Sequence, residues 1–230
     1  MAMAEEARKN AAKRRSALFM SFIGDFTRPV KIVDLGGTVA MWERWGLDQD
    51  RGLHVTLVNN YVADTNGKFV APRVNNFLRL DADVAELGES FYRQFDLVFS
   101  NSMLEHLPTR LLQKRVASAI VGSGMPYFIQ VPNKRSLIDP HFAHPLAPFF
   151  ASWPRSLQKS MLLVSGLNGG KRHRSFESAG RRLEAYCPLS IDDTRQLFGD
   201  AVISLEWSYG IPMSIVARKK GHGRMAESVS

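Results

Sequence analysis

The stretch "VKIVDLGGTVAMWERWG", Val30 to Gly46, sets an apolar run in front of an acid, two adjacent glycines and a helix-like segment. An apolar run that ends in a glycine turn and opens a helix is the start of a βα unit. Three glycines spaced G-x-G-x-x-G would let a dinucleotide pyrophosphate approach a helix N-terminus. Only Gly36 and Gly37 are present here, followed by Thr38, Val39 and Ala40, so a pyrophosphate seat is not expected. What remains is a strand ending in Asp34 and a tight turn where a missing side chain lets a ligand lie against the backbone. An acid at that turn suits a cationic or amine-bearing ligand better than a phosphate.

The same rhythm repeats along the chain. Apolar runs stand at "VKIVDL" (30–35), "LHVTLVN" (53–59), "NFLRLD" (76–81), "FDLVFS" (95–100) and "PYFIQV" (126–131), with helices expected at 38–47, 83–93 and 108–121. Strands alternating with helices predict an α/β fold around a mostly parallel sheet. The connection from Asn60 to Arg73 carries turn residues and no helical period, so one crossover helix is expected to be short or missing. Past Val131 the rhythm breaks into a proline- and aromatic-rich stretch, followed by "LNGGKRHRSFESAGRR", which reads as a mobile loop. Residues 134–190 are therefore expected to form a substrate lid or insertion. A short helix from Ile191 to Phe198 precedes "AVISLEWSYG" and "IPMSIVARK", joined closely enough to pair as an antiparallel hairpin. Residues 1–22 read as an accessory basic amphipathic helix, with Ala17, Leu18, Phe19, Phe22 and Ile23 packing back on the domain.

A chain of 230 residues fits one domain spanning 1–230. The single cysteine, Cys187, excludes an internal disulfide, and no apolar run reaches the roughly 18 residues of a membrane helix. Charge interrupts the N-terminal segment where a signal peptide would be apolar, so a cytoplasmic protein without membrane insertion is expected. The net charge of +8 is spread over several short clusters, which reads as solvated surface and argues against a nucleic-acid partner. An RNA-binding module that uses this charge is the rival from a different functional class.

On these motifs the chain resembles the class I S-adenosylmethionine-dependent methyltransferases over residues 30–135 and, through the closing hairpin, 200–218. The resemblance implies a Rossmann-like sandwich whose mostly parallel sheet is closed by an antiparallel C-terminal hairpin, with S-adenosyl-L-methionine as cofactor. "VDLGG" stands where that family has its acid-x-Gly-x-Gly turn, which gives Asp34 the amino group of the methionine moiety and Gly36 the space for it, with Gly37 as a further cofactor-binding residue of the turn. Thr38 departs from the usual second glycine. Asn59 stands where the family carries an acid for the ribose hydroxyls and can still hydrogen-bond a diol. "LDADVAEL" matches the adenine segment, with Asp81 near the exocyclic amine and the Ala82 backbone near the ring. "FDLVFSNSMLEHLP" resembles the fourth motif of small-molecule members and puts Asn101 and Ser102 beside the reacting methyl. All these positions fall at the carboxyl ends of strands, where open α/β sheets bind ligands. Taken singly, each has an ordinary reading as a helix cap or turn.

Transfer to a hydroxyl needs a base, because a neutral alcohol is a weak nucleophile until its proton is being removed. "DPHFAHP", Asp139 to Pro145, offers His141 and His144, and the apolar "PLAPFF" beside His144 favours its neutral form. His144 is preferred, with His141 and His106 as further candidates, though both loop histidines also suit turn capping. Asp139, His141 and His144 could instead converge on a metal such as magnesium, but no metal site is assigned. "SNSM" lacks the Asx-Pro-Pro-aromatic tetrad of base-modifying relatives, and Phe149, Phe150, Trp153, Trp207 and Tyr209 suit stacking on a sugar face or packing in a core. The whole chain also resembles the sugar methyltransferases that cap methylated mannose polysaccharides, which implies a sugar or oligosaccharide hydroxyl as acceptor. A lipid or quinone hydroxyl is the alternative, and a homodimer is left open.

Overall fold

The computed structural model describes residues 2–60, 76–137, 142, 147–165, 173–208 and 210–221, with side chains from residue 13 onward except at 165 and 208. In chain order the elements are α1 (Ala2–Ile23), β1 (Val30–Leu35), α2 (Val39–Trp45), β2 (Leu53–Asn59), β3 (Phe77–Asp81), α3 (Glu89–Tyr92), β4 (Leu97–Asn101), α4 (Arg110–Ser123), β5 (Tyr127–Pro132), α5 (Arg155–Ser165), α6 (Phe176–Glu184), α7 (Ile191–Leu197), β6 (Val202–Ser208) and β7 (Ile211–Lys219). They build a seven-stranded sheet in the order β3-β2-β1-β4-β5-β7-β6. β1 pairs in parallel with β2 and with β4, and β2 in parallel with β3. The last two strands form the expected antiparallel hairpin, so the fold is the Rossmann-like sandwich the motifs imply. The order reverses at β1, which sends the chain to β2 on one side and β4 on the other. That reversal makes the β1–β4 crevice the topological switch point.

Central strands of a parallel sheet are covered on both faces and read as continuous apolar runs. β5 is buried throughout, β4 up to Ser100 and β1 at every position but Lys31. α2 turns Met41, Trp42 and Trp45 inward and stops at Gly46, whose left-handed conformation closes the helix with bonds to the Glu43 and Trp42 carbonyls.

The chain divides into two compact units, one of residues 1–101, 115–129 and 218–230, the other of residues 102–114 and 130–217. In the first unit, the rings of Trp42, Trp45, Phe99 and Phe128 surround Phe19 of α1 at centroid distances of 5.7, 5.7, 5.0 and 5.6 Å. Phe19, Phe22 and Ile23 are buried as expected, whereas Ala17 is exposed and Leu18 only partly covered. The second unit has a core of its own, in which Phe142, Phe150, Leu162, Leu183 and Tyr186 pack with α5 and α6.

Two sequence expectations need correction. The helix expected at 83–93 is a 3₁₀ turn (Val84–Glu86) and the one-turn α3, because Asp83 caps the first and Gly88 interrupts the run. The segment read as a mobile loop contains α6, started by the Ser175 hydroxyl, which accepts from the Ser178 N–H. Its helical period was masked by the neighbouring glycines and charges. The connection 61–75 lies outside the described residues.

Candidate functional site

At the end of β1 the Asp34 carboxylate is fully buried and accepts a 2.8 Å hydrogen bond from Trp42 Nε1. Its other oxygen, Oδ1, is buried with no hydrogen-bond partner among the described residues. Gly36 follows at φ 75°, a left-handed turn that a residue without Cβ adopts at no steric cost. The side-chain position of Gly37 is filled by Asp34, since a Cβ there would fall inside that carboxylate. The turn therefore wraps over its own acid.

Two further bonds tie this turn to β2. Gly36 N–H donates to the Val58 carbonyl at 2.8 Å, and Asn59 Nδ2 donates to the Gly37 carbonyl at 2.6 Å. Asn59, expected at a ribose, is thus also a strut of the turn. It stands opposite Asp81 in the β2–β3 register, and its carbonyl accepts from the Ala82 N–H at 3.1 Å. The Ala82 amide is engaged there rather than directed outward. Asp81 is exposed at the strand end, and the local cap is Asp83, whose side chain accepts from Ala85 N–H at 2.9 Å.

On the other side of β1 the register pairs Leu35 with Ser100, and the Ser100 hydroxyl donates to the Leu35 carbonyl at 3.2 Å. Asn101 is the next residue and the last of β4. Its Oδ1 accepts a 2.9 Å bond from Arg15 Nη1 of α1. Asp34, Gly36, Gly37, Asn59, Asp81, Ala82 and Asn101 are thereby gathered along the carboxyl edge of β1–β4, within one unit. The sequence reading missed Trp42 and Arg15. Trp42 was findable as part of the apolar face of α2, but nothing local in "KRRSALF" marks Arg15 as a strand-end partner.

Within the second unit, Ser102 is a non-glycine residue at φ 63°. Sparsely populated conformations persist where surrounding bonds over-determine them. Here Ser102 N–H donates to the Gln130 carbonyl and Ser102 Oγ to Gln130 Oε1, both at 2.9 Å, and Gln130 is buried. His106 is exposed on the following 3₁₀ turn (Leu104–His106), with its ring 6.2 Å from that of Tyr186. The buried Gln113 side chain donates to the Leu104 and Cys187 carbonyls, and Cys187 N–H donates to the Glu105 carbonyl, fixing this turn. Phe150 belongs to the core and Trp153 packs against it, whereas Phe149 and Trp207 are about half exposed. Asp139, His141, His144 and Tyr209 lie outside the described residues. Among those described, no group of three or more histidine, cysteine or acidic side chains is placed to hold a metal ion.

Burial lifts the Asp34 carboxyl from 3.8 to about 7, against the opposing pull of the Trp42 hydrogen bond. The folded chain therefore holds this proton more tightly than the unfolded one. The contribution to stability is full below the unfolded value and is lost as pH rises through the folded one. About three units correspond to a loss on the order of 4 kcal/mol between pH 4 and pH 7, with no further change above. Urea midpoints of the wild type measured against Asp34→Asn should fall behind the variant across that window. Parallel curves would contradict the assignment.

These residues fit the methionine end of S-adenosylmethionine. An orphaned, buried carboxylate oxygen accepts from a donor, and an ammonium supplies both a donor and the charge that would hold the acid ionised. Asn59, one strand away, can exchange hydrogen bonds with hydroxyls.

No family model matches the chain, and no curated protein matches it. Solved structures do. A possible exported protein from Bordetella parapertussis shares 13% identity over 90% of this chain and 68% of its own, with a TM-score of 0.50. The 1,6-didemethyltoxoflavin N1-methyltransferase of Burkholderia thailandensis, solved with 1,6-didemethyltoxoflavin and S-adenosylhomocysteine, shares 16% over 91% and 78%, with a TM-score of 0.48. Human N-acetylserotonin methyltransferase, solved with S-adenosylmethionine, shares 15% over 90% and 51%, with a TM-score of 0.47. At such identities the likeness concerns the fold alone, a Rossmann-like, mostly parallel sheet closed by an antiparallel hairpin.

Proposed function

We propose that the chain is an S-adenosylmethionine-dependent O-methyltransferase acting on a hydroxyl of a sugar or oligosaccharide. The observation that carries this reading is the orphaned Asp34 oxygen under a glycine turn at the switch point, with Asn59 and Asn101 on the two neighbouring strands. When bound, S-adenosylmethionine supplies a methyl group activated by a sulfonium. Asp34 neutralises the ammonium end, Gly36 and Gly37 hold the backbone turn against it, Asn59 receives the ribose, and Asp81 and Ala82 flank the adenine. Asn101 and Ser102 are the residues assigned to the reacting methyl, and the bonds from the Ser102 N–H and hydroxyl to Gln130 hold Ser102 in its left-handed conformation.

The insertion 134–190 contributes the acceptor contacts. His144 takes the proton from the hydroxyl as it attacks, with His141 and His106 as the other candidates. Half-exposed aromatic rings at Phe149 and Trp207 support a sugar over an apolar acceptor, because a pyranose face stacks on a ring while its hydroxyls stay in water. Incubation with methyl-labelled S-adenosylmethionine and a panel of saccharides, lipids and RNA tests this. Label should enter a saccharide, and His144→Ala should slow the transfer by about 10²- to 10⁴-fold while leaving cofactor affinity intact. Label entering only lipid or RNA, or an undiminished His144→Ala, would refute the acceptor or the base respectively.

A further inference from the structure

Packing fixes the indole of Trp42 within the first unit. It is fully buried, and the rings of Phe19, Phe77 and Phe99 stand at centroid distances of 5.7, 6.2 and 5.3 Å, on α1, β3 and β4. Held there, its N–H donates to Asp34 Oδ2 at 2.8 Å. An indole nitrogen donates and cannot accept, so this bond favours the carboxylate over the carboxylic acid. It occupies one oxygen and leaves Oδ1, buried and with no hydrogen-bond partner among the described residues, as the remaining acceptor. The neighbours of Asp34 in the sheet are apolar, Leu57 on β2 and Phe99 on β4. Of the charged groups on surrounding elements, Lys31 of β1 and Glu43 and Arg44 of α2 are exposed. Half-buried Arg15 of α1 donates to Asn101, and Arg79 and Asp81 stand on β3, two strands away. Burial and the Trp42 bond are the two influences that act on the Asp34 carboxyl.

We propose that Trp42 is a positioning residue of the cofactor site, whose N–H makes Asp34 a one-sided acceptor, ionised and with Oδ1 alone offered to the ammonium of an aminoacyl sulfur nucleoside. This rests on the methyltransferase reading and adds to it a helix residue that no motif assigned. Burial lifts the Asp34 carboxyl to about 7, and the indole bond keeps it from going higher. An ammonium needs the ionised form, so affinity is full above that value and falls as pH drops through it, a proton leaving Asp34 as the ligand binds. Without the indole donor the same fall sets in at higher pH.

The test is calorimetric titration of the full chain at pH 6 and at pH 9 with S-adenosylhomocysteine and with 5′-methylthioadenosine, which keeps the nucleoside and thioether but lacks the amino-acid end. Trp42→Phe, which keeps an aromatic ring and loses the donor, is expected to weaken S-adenosylhomocysteine binding by about 10- to 100-fold at pH 6 and by no more than about threefold at pH 9. 5′-Methylthioadenosine should stay within about twofold at both. If the phenylalanine variant fails to fold, 3-benzothienylalanine at position 42 decides the matter, since it keeps the shape of the indole and replaces its N–H by sulfur. A loss of the same size at both pH values, an equal loss for both ligands, or no loss would make Trp42 a core residue only and overturn the proposal. A wild-type chain that binds neither ligand refutes the methyltransferase reading itself.

Discussion

Replacing Phe19 by alanine is expected to lower the unfolding free energy by about 3–5 kcal/mol, the range for removing a fully enclosed aromatic ring. Phe19 is completely buried, and four aromatic rings from α2, β4 and β5 close around it. Edge-to-face contacts with Trp42, Phe99 and Phe128 add to the area term. Because these rings belong to elements far apart in sequence, their collapse into the vacated space would have to be concerted, which places the expected loss at the upper end. Chemical denaturation followed by tryptophan fluorescence reads the change directly, since Trp42 and Trp45 line the site. A loss below about 0.5 kcal/mol, the size of an ordinary surface change, would return α1 to the status of an accessory segment.

The second large effect concerns Gly37. Alanine there would put a methyl group where the Asp34 carboxylate lies, and the acid must leave. Leaving breaks the bond from Trp42 and strands a buried indole donor, a loss of about 1–3 kcal/mol before any shift of the turn. The turn also carries the Gly37 carbonyl that Asn59 holds, so cofactor affinity should fall by up to about 100-fold, the factor that corresponds to about 3 kcal/mol. The cause is identified by a second substitution. In an Asp34→Ala background the space is already open, and Gly37→Ala should then add little, a coupling in the 0.5–3 kcal/mol range for residues in contact. Additive losses would show that the clash with Asp34 is not what requires glycine.

How far the fold was legible follows from which forces are local. β1 announces itself because a strand buried on both faces must be apolar at nearly every step, and the predicted bounds of β1 and β2 agree with the structure at Val30–Leu35 and Leu53–Asn59. The helix expected at 83–93 failed because "ADVAELGESFYRQ" has helix-forming residues but also a competing cap at Asp83 and a glycine at position 88. α6 was hidden for the opposite reason, its apolar positions Ala179 and Leu183 being few and small beside its charges.

For the site, residue type and order at strand ends pointed to Asp34, Asn59 and Asn101. They could not reveal that Asn59 braces the turn, that Asp34 lies beneath Gly37, or that Arg15 arrives from 86 residues away. Those facts depend on contacts between separate elements, which leave no period in the sequence.

The central claim is that the β1 turn receives an aminoacyl sulfur nucleoside. Isothermal titration of the purified chain with S-adenosylhomocysteine addresses it most directly. One-to-one binding, with no uptake of NAD under the same conditions, is the predicted result. Binding of NAD or a flavin nucleotide without any heat from S-adenosylhomocysteine would contradict it.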